Sequence, residues 1–228
     1  MNGQIDMKAL KRMAIKRYLM FFPVLGLAFF LPAWSLKYWE GWLYIFIIAI
    51  PVAIFGVYSY KNDPQLLERR MRTKETRKEQ KLVIKMAYLA LPFVLTIPGL
   101  DNRFGWSNIP VHIELIAFVL VLLGYLGIVA VFKENSFASR IIEVESDQKV
   151  ISTGPYAIVR HPMYTSQILL YLSTPLALGS YWAVIPALIF VLVFIPRILD
   201  EEKELLQNLA GYKEYTQKTK YRLLPGVW

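Results

Sequence analysis

Between His161 and Pro196 the chain runs for 36 residues without a single Asp, Glu, Lys or Arg. A helix of ~20 apolar residues crosses ~30 Å of hydrocarbon, so this run is too long for one span and tight for two. It predicts a helical hairpin turning at Gly179-Ser180. Four further charge-free stretches approach span length: Tyr18 to Leu36, Gly41 to Tyr60, Met86 to Leu100 and Leu115 to Phe132. The third is short, and its helix is expected to begin near Leu82, with Lys85 reaching back to headgroup level. With 56% hydrophobic residues, the chain is expected to be an all-α, polytopic integral membrane protein. It should have about six transmembrane helices, a C-terminal helical hairpin, and a cytosolic C-terminal helix and tail. Tyr18 onward has no small-residue cleavage site and runs on as a full span, so it is expected to be a helix and not a cleaved signal peptide.

Charge sets the expected orientation. Of the 26 Lys and Arg, 24 fall in the amino-terminal arm (Lys8, Lys11, Lys16 among them), the second loop, the fourth loop and the tail; only Lys37 and Arg103 lie on the other side. The positive-inside rule then places both termini in the cytoplasm. Residues 1–132 are expected to form four spans with a basic cytosolic loop at 61–81. Residues 133–228 are expected to form a core of cytosolic loop, hairpin (162–196), C-terminal helix and tail. The charged run Glu68 to Lys81 reads as a solvated connector without a catalytic role.

The net charge of +9 tracks membrane loops, which suits anionic lipid headgroups and not nucleic acid. The chain has no cysteine, which excludes disulfides, thiolate catalysis and cysteine-held metal. With two His, His112 and His161, no metal site is expected. No phosphate-cradling glycine loop and no GxGxxG occurs, and no internal repeat supports a transporter of inverted halves.

Two segments beside the hairpin gather the polar chemistry. In Val159-Arg160-His161-Pro162-Met163-Tyr164, proline suits the first helical position and disfavours helix before it. His161 is thus the expected N-cap, with Tyr164 in the first turn. The amides of that turn, with Arg160 adjacent, form a candidate anion site, although an Arg-His pair and a Tyr also occur as plain interface markers. The second segment, Arg197 to Leu209, reads as an amphipathic helix with Ile198, Leu199, Leu205, Leu206 and Leu209 on one face. Glu202 sits at the centre of that stripe, where a carboxylate needs either a partner or a task. Glu201 lies toward the polar edge. The tail adds Tyr212, Tyr215, Tyr221, Arg222 and Trp228, which suit a lid at headgroup level or a tail resting on the membrane.

In order and spacing, RHPMY, the hairpin, EEKELL, GYKEY and RLLP resemble the isoprenylcysteine carboxyl methyltransferase family, within a wider group that includes the phospholipid N-methyltransferases. The resemblance covers the chain from Asn135 in FKENSF onward. It implies S-adenosyl-L-methionine as cofactor and methyl transfer to a lipid-like acceptor, most simply a carboxylate, at the cytosolic membrane face. By similarity, Tyr156, Arg160, His161 and Tyr164 would form one wall of the cofactor site, with Glu201 or Glu202 closing it. The other glutamate, with Arg222 and Asn135, would face the substrate; Lys218 and Lys220 compete with Arg222 for that basic role. The predicted assignment is therefore cofactor contacts at Tyr156, Arg160, His161, Tyr164 and Glu201, catalysis at Glu202 and Arg222, and substrate contact at Asn135. The competing expectations are an NADPH-dependent sterol-type reductase and a non-catalytic membrane scaffold or carrier.

Overall fold

The structure, a computed structural model, describes residues 5–73 and 77–228, without the side chains of Lys78 and Glu79. The described residues are helical, with no strand among them. Four long helices hold nearly half of the chain: α1 (Met7–Ala33), α2 (Trp39–Asn62), α4 (Lys78–Phe104) and α5 (Val111–Glu134). All four are long and apolar enough to cross a membrane, and rows of large apolar side chains stand exposed on them, including Leu27, Ile54, Leu89 and Val119. Such surface is stable against lipid and costly against water.

The helix ends follow local chemistry. Asp6 caps α1 by accepting hydrogen bonds from the Lys8 and Ala9 amides, so the basic arm from Lys8 to Arg17 lies inside the first helix instead of preceding it. Asp63 caps the short α3 (Pro64–Met71), with Pro64 at its first position. Helix α1 packs on α2 and α4, α2 on α5, and α5 on the following hairpin.

The expected hairpin is present. Its first arm is α6 (Pro162–Ala177); its second is α7 (Val184–Leu192), carried on by α8 (Phe194–Asn208). Val193 between them keeps helical dihedrals, so residues 184–208 form one nearly continuous rod. The turn falls at Gly179, whose φ of +75° is in the left-handed region that glycine enters without strain. Helices α5 and α6 approach so closely that a Cβ on Gly124 would stand 2.8 Å from the Leu170 amide nitrogen and 2.9 Å from the Ser166 carbonyl oxygen. Small residues at helix crossings permit this approach in lipid. A short α9 (Tyr212–Lys218) follows a glycine turn at Gly211.

The connector from Glu68 to Lys81 corrects the sequence expectation of a solvated loop. Arg69 is 5% exposed and holds Glu145 at 2.5 Å. Arg72 pairs with Glu143 and Glu145 at 2.6 and 2.8 Å, and Arg77 pairs with Asp200 at 2.5 Å and with Glu204. The run therefore straps the loop after α5 and the start of the last helix together. Thr73 is followed by residues 74–76, which lie outside the described part of that run.

Candidate active site

The polar ends of α5, α6 and α8 converge with α9 and the loop 135–160 around one cavity of about 100 Å³. Pro162 opens α6 with His161 as its N-cap, which fixes Tyr164 in the first turn, buried at 3%. On the facing helix, Glu201 and Glu202 diverge. The Glu201 carboxylate lines the cavity, accepts a 2.7 Å hydrogen bond from the Tyr164 hydroxyl and lies 3.9 Å from His161 Nδ1.

Glu202 points away from that cavity, to which neither it nor Arg222 contributes lining. Its side chain is enclosed by nitrogens: His161 Nε2 at 3.2 Å and Arg160 Nε at 2.9 Å on one oxygen, Arg222 Nε at 2.8 Å on the other. The Arg160 contact is an ion pair by distance only, because its buried Nε makes no hydrogen bond of acceptable angle. Burial pushes the Glu202 carboxyl up, but the hydrogen bonds and charges of His161, Arg222 and Arg160 outweigh it and hold the group below its usual value. Glu202 is thus a permanently ionised hub that fixes Arg160, His161 and Arg222.

The helical stripe around Glu202 also differs from expectation. The buried line of α8 is Phe194, Ile198 and Glu202, at i, i+4, i+8. Leu199 and Leu206 are 47% and 51% exposed, while Leu205 and Leu209 turn into the cavity wall. From Arg197 onward the rod carries the charges Asp200, Glu201, Lys203 and Glu204, and along this part apolar character ceases to report burial.

Asn135 and Tyr156 meet in the cavity, the Asn135 amide donating to the Tyr156 hydroxyl at 2.8 Å. The Tyr156 carbonyl accepts from the Tyr215 hydroxyl at 2.7 Å, which ties α9 to the 3-10 turn at Gly154–Ala157. Burial pushes the Tyr156 phenol upward, as it does Tyr215, the latter to about 12. Both stay protonated donors at neutral pH.

The tail is anchored, not lying loose. The Tyr221 and Arg222 carbonyls accept from the Arg160 and His161 amides at 2.9 Å each, and the Trp228 carbonyl accepts from the Arg222 amide at 2.8 Å. These bonds remove the Arg160 and His161 amides from the anion site expected at the start of α6. The Arg222 guanidinium lies 5.2 Å from the Trp228 ring centroid.

Six of the eight sequence-assigned residues line the cavity together: Asn135, Tyr156, Arg160, His161, Tyr164 and Glu201. Glu202 and Arg222 stand behind them. One contributor was not singled out as a site residue in sequence: Tyr212. It is 4% exposed, lines the cavity, and its hydroxyl has no hydrogen-bond partner among the described residues. A buried phenol left unsatisfied is costly unless a ligand completes it. The GYKEY spacing, which sets Tyr212 and Tyr215 three apart on one helical turn, carries the signal for this wall.

The fold and cavity define a membrane-embedded helical protein with a polar site at the root of its C-terminal hairpin. Residues 113–213, from the first turn of α5 into α9, match the phospholipid methyltransferase family. That match bears out the resemblance to the group joining isoprenylcysteine carboxyl methyltransferases and phospholipid methyltransferases. The match implies the activity of a membrane methyltransferase. No curated protein matches the chain.

Proposed function

We propose that the protein transfers a methyl group from S-adenosyl-L-methionine to a lipid-like acceptor at the cytosolic face of a membrane, with both termini in the cytoplasm. The observation that carries this is the pairing, in one cavity, of the Glu201 carboxylate with the orphaned Tyr212 hydroxyl, beside Arg160 and the Asn135–Tyr156 pair. The donor set fits the cofactor: Glu201 suits the ammonium of its amino-acid end, Arg160 the carboxylate, and Tyr212, Tyr156 and Asn135 the polar groups of its nucleoside. The lumen of about 100 Å³ is below the ~300–1,000 Å³ of most ligand pockets. Binding therefore requires the loop 148–151 and Leu205, which form part of the wall, to give way.

When bound, the cofactor supplies a methyl group on a cationic sulfur. The acceptor's lone pair forms the new bond to carbon as the carbon–sulfur pair stays with sulfur; a carboxylate acceptor ends as an ester with no proton to lose, whereas an ammonium-forming amine sheds one. Tyr164 holds Glu201 in place, and Glu202 holds His161, Arg160 and Arg222. Held below the usual carboxylate range, Glu202 is a poor proton acceptor, so it acts as a positioning residue. The rate then comes from orientation and exclusion of water.

The test is incubation of membranes containing the protein with methyl-labelled S-adenosyl-L-methionine, followed by organic extraction and mild base. Label extracted with lipid and released as methanol by base supports carboxyl methylation. Base-stable lipid label assigns the acceptor atom to nitrogen. No label above that of protein-free membranes contradicts the proposed reaction.

A further inference from the structure

The end of the bundle opposite the polar cavity holds a second group of acids. Glu40 lies in the first turn of α2, Glu114 in the first turn of α5 and Asp101 in the last turn of α4. All three are buried, at 8%, 5% and 1% exposure respectively, but they are not equally satisfied. Asp101 accepts from the Ser107 amide and hydroxyl at 2.6 Å each and from the Ser180 hydroxyl at 2.5 Å, which pins the loop after α4 to the hairpin turn. The Tyr38 hydroxyl is engaged too, donating to the Leu178 carbonyl at 2.6 Å. Glu40 Oε2 and Glu114 Oε2 are buried without a hydrogen-bond partner, and neither carboxylate enters an ion pair among the described residues.

The undescribed side chains are too far away to supply a partner. Those of residues 74–79 stand at the start of α4, ~33 Å of helix from Asp101 at 1.5 Å per residue. Residues 1–4 precede α1, whose other end, at Ala33, crosses Gly99 of α4. Two neighbouring carboxylates buried without a cation are costly. Their remaining oxygens converge: a Cβ on Gly179 would stand 3.3 Å from Glu114 Oε1 and 3.8 Å from Glu40 Oε1. Both therefore face one point, which the glycine leaves open by having no side chain.

The donor set decides what fits there. It is oxygen only, and no group of three His, Cys, Asp or Glu stands together among the described residues to hold a transition metal. Mg2+ keeps several of its waters, for which so enclosed a place has little room. Ca2+ takes carboxylates and backbone carbonyls at ~2.3–2.6 Å in irregular geometry.

We propose that Glu40 and Glu114 bind a Ca2+ ion beside the hairpin turn. The ion ties the starts of α2 and α5, whose Trp39 and Phe118 rings lie 6.1 Å apart, to the loop joining the two arms of the hairpin. It stands the length of α5, ~36 Å, from Asn135 and the polar cavity, so it acts on the fold and not on methyl transfer. With two carboxylates the site belongs to the weak class, with a Kd of about 10⁻⁴–10⁻³ M.

The experiment uses the full-length protein in detergent, stripped with a chelator and then freed of it. Tm and equilibrium binding of radiolabelled Ca2+ are measured against calcium, magnesium and sodium chloride at constant pH and ionic strength. The wild type should bind one ion per chain saturably, and its Tm should rise with calcium concentration, as binding to the folded state requires. Magnesium should do less at the same concentration. Glu40→Gln and Glu114→Gln should each weaken binding by at least about tenfold, and the double variant should bind none. Gln keeps the shape and removes two like charges, so the double variant should fold and, without calcium, be no less stable than the wild type. Glu214→Gln, exposed on α9, should leave binding unchanged. No saturable binding by folded wild-type protein overturns the proposal, as does an equal response to magnesium or sodium. So does a calcium response retained in the double variant, which marks adsorption elsewhere. A wild-type Tm that rises on acidification, is flat in the double variant and ignores calcium also overturns it, by making a proton the occupant.

Discussion

The Tyr164 hydroxyl donates 2.7 Å to Glu201 Oε2 and in turn accepts from Arg197 Nε at 3.0 Å. One phenol from the start of α6 thereby locks two charged residues of α8 in the lining of the polar cavity. Tyr164→Phe keeps the ring contact with Phe194, at 5.4 Å between centroids, and removes only the hydroxyl. Calorimetry should show S-adenosylhomocysteine binding weakened by about tenfold, as expected for ~1–1.5 kcal/mol of hydrogen bonding. Unchanged affinity would mean that Glu201 needs no such support.

Glu202→Gln should behave differently from Glu201→Gln. The first leaves Arg160 and Arg222 without their shared carboxylate, so it should lower stability by about 2–4 kcal/mol, the range for breaking a buried ion pair. Thermal unfolding in detergent should report a clear drop in Tm for Glu202→Gln and a small one for Glu201→Gln. Equal Tm values would argue against Glu202 as the hub.

Acid should loosen the same region first. The carboxyls of Glu202, Glu145 and Asp200 are all held below their usual values, because the hydrogen bonds and charges of their Arg and His partners outweigh burial. A lowered folded value means that the stabilisation is complete above the unfolded value, 4.5 for Glu and 3.8 for Asp. It is lost as pH falls through the lower folded value. Hydrogen exchange measured stepwise below pH 4.5 should show α3 and α9 opening before α2 and α5. Simultaneous opening of all four would contradict the ion-pair account.

Gly124 tests the hairpin packing. With a Cβ contact of 2.8 Å to the Leu170 backbone, Gly124→Ala forces α5 and α6 apart and should cost about 1–3 kcal/mol, as overpacking does. Gly26, whose Cβ would meet nothing within 4 Å, provides the control: Gly26→Ala should leave the unfolding temperature of the detergent-solubilised protein unchanged or slightly raised. Equal effects at both positions would contradict the close crossing.

Four long spans and the hairpin turn were legible in sequence because lipid imposes a simple rule on length and charge, and Gly179 breaks the longest charge-free run. The α6 N-terminus was legible from His161-Pro162 for a local reason, the φ of proline. The partners of Glu202 were not. They come from positions 20 to 42 residues away in the chain, and no periodicity carries such a relation. Periodicity placed Glu202 inward correctly, yet misjudged Leu199 and Leu206, because the buried line of α8 is narrow and runs through Phe194, Ile198 and Glu202. Arg69, Arg70 and Arg72 looked solvated because their carboxylates and carbonyls sit about 70 residues downstream, in an irregular loop.

The central claim is that the cavity at Glu201 binds the methyl donor. Titration calorimetry of the full-length protein in detergent, against S-adenosylhomocysteine and separately NADPH, tests it most directly when repeated on Glu201→Gln. The account predicts saturable binding of S-adenosylhomocysteine by the wild type, a loss of at least about tenfold in Glu201→Gln, and no binding of NADPH. Folded wild-type protein that binds NADPH but not S-adenosylhomocysteine would contradict it.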